Sequence, residues 1–202
     1  GGFLLHALDK VRKAAREFYE IKDGEKETQE CHEQWHDFAE YNLYGIEINE
    51  QISRTAKMNM IIHDDGHTNV VSADGLISPN DLRLKTNNDG FKENSFDYII
   101  TNPPFGSIVK QTEKAYLHQY KLGIKDIDWL NPNSKASERP SQSTEVLFIE
   151  QAEKYLVEGG YLAIVVPDGV LTNSSMQYVR DYISDTFRIV AVISMPQTAF
   201  SA

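Results

Sequence analysis

The chain has one cysteine, Cys31, among its 202 residues, which excludes a disulfide framework within it and fits a reducing compartment. It has no run of the roughly 18–20 uninterrupted apolar residues that a bilayer-crossing helix needs. Its longest apolar stretch, YLAIVVPDGVL, is broken by Pro167 and Asp168. The opening residues, GGFLLHALDK, carry neither a basic leader nor a cleavage site and do not read as a signal peptide. Positive charge is scarce as well: 20 Lys and Arg against 30 Asp and Glu leave a formal net charge of −10. Such a surface repels phosphate backbones on average, so strong autonomous binding of nucleic acid is disfavoured, local patches excepted. Together these absences predict a soluble cytoplasmic protein. The 41% hydrophobic content suffices for one well-filled domain or slightly more.

What is present is an alternation of helix-like and strand-like segments. Leu4, Leu8, Val11, Ala15 and Phe18 keep helical spacing and predict an amphipathic helix over residues 2–21. Residues 22–42 are polar and charged and read as a surface excursion. LYGIEIN predicts a short strand, EQISRTAKMNMIIH a helix with Ile52, Ala56 and Met60 on one face, and TNVVSADGL a strand entering a glycine turn. SPNDLRLKTNNDGFKENS reads as loop and FDYIIT as the next strand. Residues 106–142 form a long loop of the kind that serves function inside compact domains. STEVLFIEQAEKYLVEGG predicts a helix with Val146, Ile149, Ala152 and Leu156 inward, Ser143 or Thr144 as cap and Gly159 as stop. YLAIVVP reads as a strand buried on both faces, TNSSMQYVRDYISDTF as a capped helix and RIVAVISMP as a last strand. The alternation predicts an α/β fold, its sheet mostly parallel with helices on both faces. Ligands in such sheets sit beyond the carboxyl ends of the strands.

Three of those ends carry polar signatures. Glu47 closes YGIE, where a carboxylate can accept from both hydroxyls of a ribose; the plainer reading is a helix-start or surface charge. Asp74 leaves the next strand just before Gly75, placed to accept from an exocyclic amine, although an Asp-Gly turn needs no ligand. The third end is TNPPF. Pro103 and Pro104 each fix φ near −65° and give no N–H, and a residue before proline is driven toward extended geometry, which holds Asn102 straight. The result is a stiff corner that aims an amide oxygen and one or two backbone carbonyls. Prolines alone would make a structural turn; they do not account for Asn and Phe on either side.

Aimed acceptors suit one chemistry in particular. An amine conjugated to an aromatic ring is a poor nucleophile because its lone pair is delocalised. Two acceptors gripping its two N–H bonds favour a pyramidal nitrogen with the lone pair free. The Asn102 side-chain oxygen and the Pro103 carbonyl are the candidate pair, so that positioning and fixed dipoles replace a strong base. Phe105 is placed to stack on the ring, as aromatics do with bases taken out of a duplex.

On these residues the chain resembles amino-group DNA methyltransferases that use S-adenosylmethionine. NPPF after an apolar strand is similar to their catalytic signature, and GIEIN and SADGL to their cofactor-side signatures in the same order. More narrowly, GGFLLHAL, LVEGGYLAIVVPDGVL, VRDYI and VISMPQTAF resemble the modification subunit of type I restriction systems. The resemblance spans nearly the whole chain apart from residues 20–40 and the 106–142 loop. It implies a Rossmann-like methyltransferase fold and transfer of methyl to the N6 amine of adenine in DNA. Gly1 and Gly2 would border the methionine part of the cofactor, Glu47 would hold its ribose, and Ile48 would lie against its adenine. Asp74, with Gly75 beside it, would bind the adenine amine, and Asn102 would also border the cofactor. The corner Asn102, Pro103, Pro104 and Phe105 would hold the target base. Implied partners are double-stranded DNA with a flipped adenine, a DNA-specificity subunit, a restriction subunit and a second copy of the chain. In the family a strand with an acidic residue precedes the glycine loop, between the strands of Glu47 and Asn102; the chain therefore reads as part of a longer catalytic domain whose first strand lies outside it.

Within the 106–142 loop, Lys110, Lys114, Lys121, Lys125, Lys135 and Arg139 face Glu113, Asp126, Asp128 and Glu138; six minus four gives +2, opposite in sign to the chain. The loop is thus a candidate DNA-facing insertion, with an ordinary solvated loop as the plain reading. Cys31, His32 and His36, and His63 with His67, complete no metal pattern. Ser174 and Ser175 read as helix caps, and Trp35, Trp129 and the tyrosines as anchors. NPP corners also serve methyl transfer to a protein glutamine amide or an RNA guanine amine. A cofactor-binding subunit without turnover is the reading from another class.

Overall fold

The structure, a computed structural model, describes residues 1–64, 69–110, 117–125, 135 and 137–200. They divide into two compact units, Gly1–Ile100 with Lys154–Leu162, and Thr101–Glu153 with Ala163–Ala202.

The first unit begins with α1 (Gly2–Phe18) and α2 (Gln29–Asn42). The second helix occupies the segment expected to be a surface excursion. Thr28 caps it, its hydroxyl accepting the Cys31 N–H at 3.3 Å. Cys31, Trp35 and Ala39 recur every fourth residue and are buried against Leu8, Ala15 and Met60. A stripe one residue wide in so polar a segment is easy to miss, yet one stripe is all a two-helix contact needs. Between the helices, Glu27 accepts from Arg12 Nε at 2.7 Å, Arg16 Nη1 at 3.1 Å and Trp35 Nε1 at 3.1 Å.

Strand β1 (Tyr44–Glu47) leads into α3 (Glu50–Ile62), capped by Asn49, whose side chain accepts from the Gln51 and Ile52 amides. The buried face of α3 is Ser53, Ala56 and Met60; Ile52, expected inward, is 52% exposed. Strand β2 (Asn69–Ser72) pairs with β1 in parallel, Glu47 opposite Ser72. A short helix follows, α4 (Pro79–Thr86), in place of the expected loop. Ser78 caps it with a bond to the Asp81 N–H, Pro79 opens it, and Asn87 ends it at φ 51°.

Strand β3 (Phe96–Thr101) crosses from the first unit into the second. The second unit then holds β4 (Ile108–Lys110), β5 (Ile124–Lys125), β6 (Ser137–Glu138) and β7 (Ser141–Ser143), with two turns of 3₁₀ helix before β5. These are antiparallel pairs, β4 with β7 and β5 with β6, so the described part of the expected long loop is tied by short ladders. Helix α5 (Thr144–Tyr155) follows with Val146, Ile149 and Ala152 buried as expected. It hands over directly to β8 (Leu156–Ile164), in which Gly159 takes φ +81°.

Strands β3 and β8 pair. Bonds from Ser95 N to Tyr155 O and from Val165 N to Thr101 O run the two in the same direction. No ladder joins this pair to β1–β2 among the described residues. The two pairs meet instead through an aromatic core, with Tyr44 edge-on to both Phe91 and Phe96 at 5.3 Å. The expected burial of YLAIVVP on both faces does not hold. Tyr161 is 58% exposed and stacks at 5.6 Å on Tyr98 of the neighbouring strand, one aromatic covering another where a helix was expected.

In the second unit α6 (Asp168–Thr172) and α7 (Gln177–Thr186) pack Val170 and Val179 against Leu122, Val146 and Ile149. Ser174 and Ser175 do not cap α7. They lie in a 3₁₀ turn, and Arg180 ties the entry by donating to the carbonyls of Val170 and Asn173 at 3.0 and 2.8 Å. RIVAVISMP, expected as a strand, has no ladder partner among the described residues. Its Val190 and Ile193 are 78% and 82% exposed: β-branched composition favours a strand only where a neighbour completes the ladder.

Burial alone would raise the Glu27 carboxyl, but the bonds from Arg12, Arg16 and Trp35 outweigh it and hold the group down to about 2, against an ordinary 4.5. A depressed carboxyl contributes stability above its unfolded value and loses it as pH falls through the folded one. Glu27→Gln is therefore expected to lower unfolding free energy by about 2 kcal/mol at neutral pH. The gap to the parent should narrow between pH 5 and 2. Urea midpoints across that range check it; a gap constant with pH would refute the ion-pair account.

Candidate functional site

The parallel register of β1 and β2 decides where the two acidic strand ends fall. With Glu47 opposite Ser72, the Ala73 N–H reaches the Glu47 carbonyl at 3.1 Å, and Asp74 emerges one residue later at the same end of the pair. Both are partly buried, with Gly75 partly buried beside Asp74. One oxygen of Glu47 accepts the Asn49 N–H at 2.8 Å, and the other accepts nothing from the described residues. The carboxylate is thus aimed by its own turn with capacity left over. Ile48, 65% exposed, offers an open apolar surface next to it. Asp74 accepts the Leu76 N–H at 3.1 Å through Oδ1, while its carbonyl accepts from Ile77 at 3.4 Å. The Asp-Gly turn and the strand-end position are both present, so the turn is the means by which Asp74 is held.

Gly1 and Gly2 head α1. The helix lies against β1, since a Cβ added to Gly45 would meet Leu4 at 2.9 Å. A Cβ added to Gly1 would meet Ala56 of α3 at 3.6 Å, whereas Gly2 has nothing within 4 Å. Gly1, Gly2, Glu47, Ile48, Asp74 and Gly75 all fall within the first unit, with Glu47 and Asp74 at one end of the β1–β2 pair.

The corner belongs to the second unit. Thr101, last in β3, gives its carbonyl to Val165 N at 3.1 Å, and the chain then leaves the sheet. Asn102 is exposed and its amide bonds to none of the described residues. Pro103 is buried, Pro104 and Phe105 are exposed, and Gly106 turns the chain at φ +73°. The Pro103 carbonyl accepts no bond among the described residues, but that of Pro104 accepts the Thr144 hydroxyl at 2.7 Å. Of the acceptors the sequence offered, Asn102 and Pro103 are uncommitted among the described residues and Pro104 is used structurally.

Of the basic residues singled out in the loop, Lys110, Lys121, Lys125 and Lys135 are exposed. Arg139 is partly buried, its guanidinium 4.0 Å over the Tyr178 ring and donating to the Ile124 carbonyl at 3.3 Å. Lys114, Glu113, Asp126, Asp128, Trp129 and His67 lie outside the described residues. Cys31 is sealed in the helical core, while His36, Asp37 and Glu40 on α2 bring their ligand atoms within 4.8 Å of one another on a largely solvated face. Two clefts lie elsewhere, one lined by Pro79, Arg83 and Phe91, the other by Leu122, Tyr178 and Tyr182.

The residues that sequence reasoning missed are those that hold the loop. Glu150, 2% exposed, accepts the Lys121 and Leu122 amides at 2.9 Å each, and Gln151 accepts the Tyr120 hydroxyl at 2.7 Å. Sequence alone does not set them apart, since the same helix also carries Glu145, Glu153 and Lys154.

Comparison with known proteins converges on one group. The model of the family described as N-6 DNA Methylase matches residues 1–202. The methylase subunit of the type I restriction enzyme MpnII from Mycoplasma pneumoniae is 32% identical over 163 residues, 79% of this chain and 28% of that protein. The EcoEI methylase subunit from Escherichia coli is 24% identical over 205 residues, covering 100% of this chain and 33% of its own length. The chain thus spans about a third or less of the curated relatives it matches. The crystal structure of a modification subunit from Vibrio vulnificus superposes with a TM-score of 0.53 at 20% identity, over 82% of this chain and 30% of that one. That likeness shows the fold, the Rossmann-like α/β arrangement that the resemblance implied.

Proposed function

Since the chain belongs to the N-6 DNA Methylase family along its whole length, we propose that it is the catalytic part of a modification subunit. Its reaction is transfer of methyl from S-adenosylmethionine to the N6 amine of adenine in DNA, within a restriction-modification system. The observation that carries this reading is the pair of uncommitted acceptors, the exposed Asn102 amide and the Pro103 carbonyl, at the end of β3.

The residues present suit the cofactor. Its ribose offers two hydroxyl donors and its adenine an amine donor, and the pair β1–β2 presents two carboxylates at one end, Glu47 with an unused oxygen. Glu47 would take the ribose, Ile48 the adenine face, Asp74 with Gly75 the adenine amine, and Gly1 and Gly2 the methionine end. When bound, S-adenosylmethionine supplies an electrophilic methyl on a sulfonium sulfur. Asn102 Oδ1 and the Pro103 carbonyl would accept the two N–H bonds of the target amine and turn its lone pair out of conjugation. Phe105, 42% exposed, would stack on the flipped base. Such work needs rigid acceptors more than a strong base, and a di-proline corner is rigid by construction.

The DNA-facing insertion is read in residues 106–142, whose described lysines are exposed. With −10 charges on the chain, most DNA contacts would come from a separate specificity subunit, and a restriction subunit and a second modification subunit would complete the assembly. The described helices include none long and apolar enough to cross a membrane, which fits a cytoplasmic site of action on DNA. Glutamine or RNA guanine as acceptor gains no support from the relatives, which are named for restriction enzymes.

In the full-length protein with its partners, Asn102→Ala is expected to cut methylation of unmodified genomic DNA by about 10²–10³-fold and to leave cofactor affinity within a few-fold. Labelled cofactor followed by base analysis reads the result. Undiminished N6-methyladenine would remove Asn102 from the site, and label in protein alone would change the acceptor.

Replacing Lys110, Lys121 and Lys125 together by Ala should weaken DNA binding and flatten the slope of log affinity against log salt by about 0.9 for each phosphate no longer neutralised. A slope equal to the parent's would leave the segment an ordinary solvated one.

A further inference from the structure

Resting on that reading of the corner, we infer that Thr144 is a positioning residue for methyl transfer: by holding the Pro104 and Ser107 carbonyls it fixes the direction in which Asn102, Pro103 and Phe105 present themselves to the target base.

The need for such a residue follows from proline chemistry. Neither Pro103 nor Pro104 has an N–H, so the di-proline step cannot be anchored by donors of its own. Its available handles are carbonyls, and the Pro103 carbonyl must stay open if it is to accept from a substrate amine. Pro104 is the next handle along the chain, and Thr144 takes it, the hydroxyl donating to the Pro104 carbonyl at 2.7 Å. The same residue's backbone N–H donates to the Ser107 carbonyl at 3.0 Å. One side chain and its own amide therefore clamp the chain on both sides of Phe105 and Gly106.

The hydroxyl has a single proton to give. Its other neighbours, the Ser107 carbonyl at 3.3 Å and a Glu145 carboxylate oxygen at 3.5 Å, are farther away, so the Pro104 bond is the principal one. Thr144 is 8% exposed, so water does not readily stand in for the bond. Without it, rotation of the peptide joining Pro104 to Phe105 meets less resistance, next to Gly106, whose φ of +73° is a conformation glycine takes without steric cost. Rotation there swings the Phe105 ring and tilts the acceptors before it.

The clamp is stiff because of what stands behind it. Thr144 is the first residue of α5, and Val146 and Leu147 just after it are fully buried. Two turns on, Glu150 and Gln151 bind the 120–122 segment. The β4–β7 ladder, Ile108 opposite Ser143, brings the returning chain to the helix start. The corner thus takes its orientation from the best-buried helix of its unit. The sequence pattern predicts Ser143 or Thr144 as a cap; in the structure Thr144 is the first helical residue and its hydroxyl donates to the Pro104 carbonyl.

The test compares Thr144→Val, which keeps shape and removes the hydroxyl, with Thr144→Ser, which keeps the hydroxyl, in the full-length protein and its native assembly. The expected result for Thr144→Val is a fall in kcat of about 10- to 100-fold, the scale of an ångström-sized misplacement. It should come with KM for S-adenosylmethionine unchanged, at a temperature well below the variant's own melting midpoint. Thr144→Ser should recover kcat to within about three-fold, because the positioning effect resides in the restored bond. A purely structural role would lower the melting midpoint and spare kcat in the folded fraction; that outcome, or a Ser variant as slow as Val, overturns the proposal. Should the Val variant not fold, Thr144→Cys, with only a weak S–H donor, carries the same comparison. Asn102→Ala run alongside separates the two claims: if it is inactive while Thr144→Val matches the parent, the clamp alone fails; if Asn102→Ala is active, the corner reading itself fails.

Discussion

Two adjacent prolines at a strand end have no amide hydrogens to give, so whatever holds that step must arrive at its carbonyls. This constraint organises the second unit. It accounts for the meeting of the chain after the corner with the start of α5, and for the threonine standing there. It also accounts for the division of labour among neighbouring acceptors, with Pro104 tied inward and Pro103 and Asn102 left open. A glycine-rich turn could reach the same place, but it would surrender the stiffness on which aimed acceptors depend.

The residues read as facing the cofactor rest on a different constraint, strand register. A parallel pair puts the carboxyl ends of both strands on one side, so two acidic residues at those ends become neighbours with no further instruction. A slip of one residue would turn Glu47 to the opposite face and separate it from Asp74. The register is held by partly covered Tyr44 and Ile46 against Val71 and Ala73, within the aromatic core that also takes Phe91 and Phe96. The placement of the two carboxylates is a by-product of core packing, and they need little dedicated support beyond their own turns.

The sequence made these ends legible because each is marked by chemistry that local structure alone does not explain. Asn102 and Phe105 flank prolines that a plain turn would leave unflanked, and Glu47 and Asp74 recur at successive strand ends. The misreadings have one cause. Residues 22–42 and 79–86 are polar, and their helices depend on caps, Thr28 and Ser78, and on a single buried stripe. RIVAVISMP erred the other way, because apolar β-branched residues announce a strand whether or not a partner is there to pair with it. Composition reports what a segment would bury. It is silent on whether the neighbouring surface exists.

The same asymmetry explains why the supporting residues were harder to find than the acceptors. An acceptor facing solvent must look out of place in sequence, since nothing in the fold requires it. A support such as Glu150 or Thr144 looks ordinary, a charged residue on a helix or a threonine at its start, and becomes distinctive only once its partner is known. Burial supplies that distinction. A carboxylate 2% exposed would be strongly disfavoured without donors, so the amides of Lys121 and Leu122 are held to it as firmly as it is held to them. Through α5 the loop read as facing DNA and the corner read as facing the base share one anchor, and neither can shift far without disturbing bonds that the buried helix cannot replace.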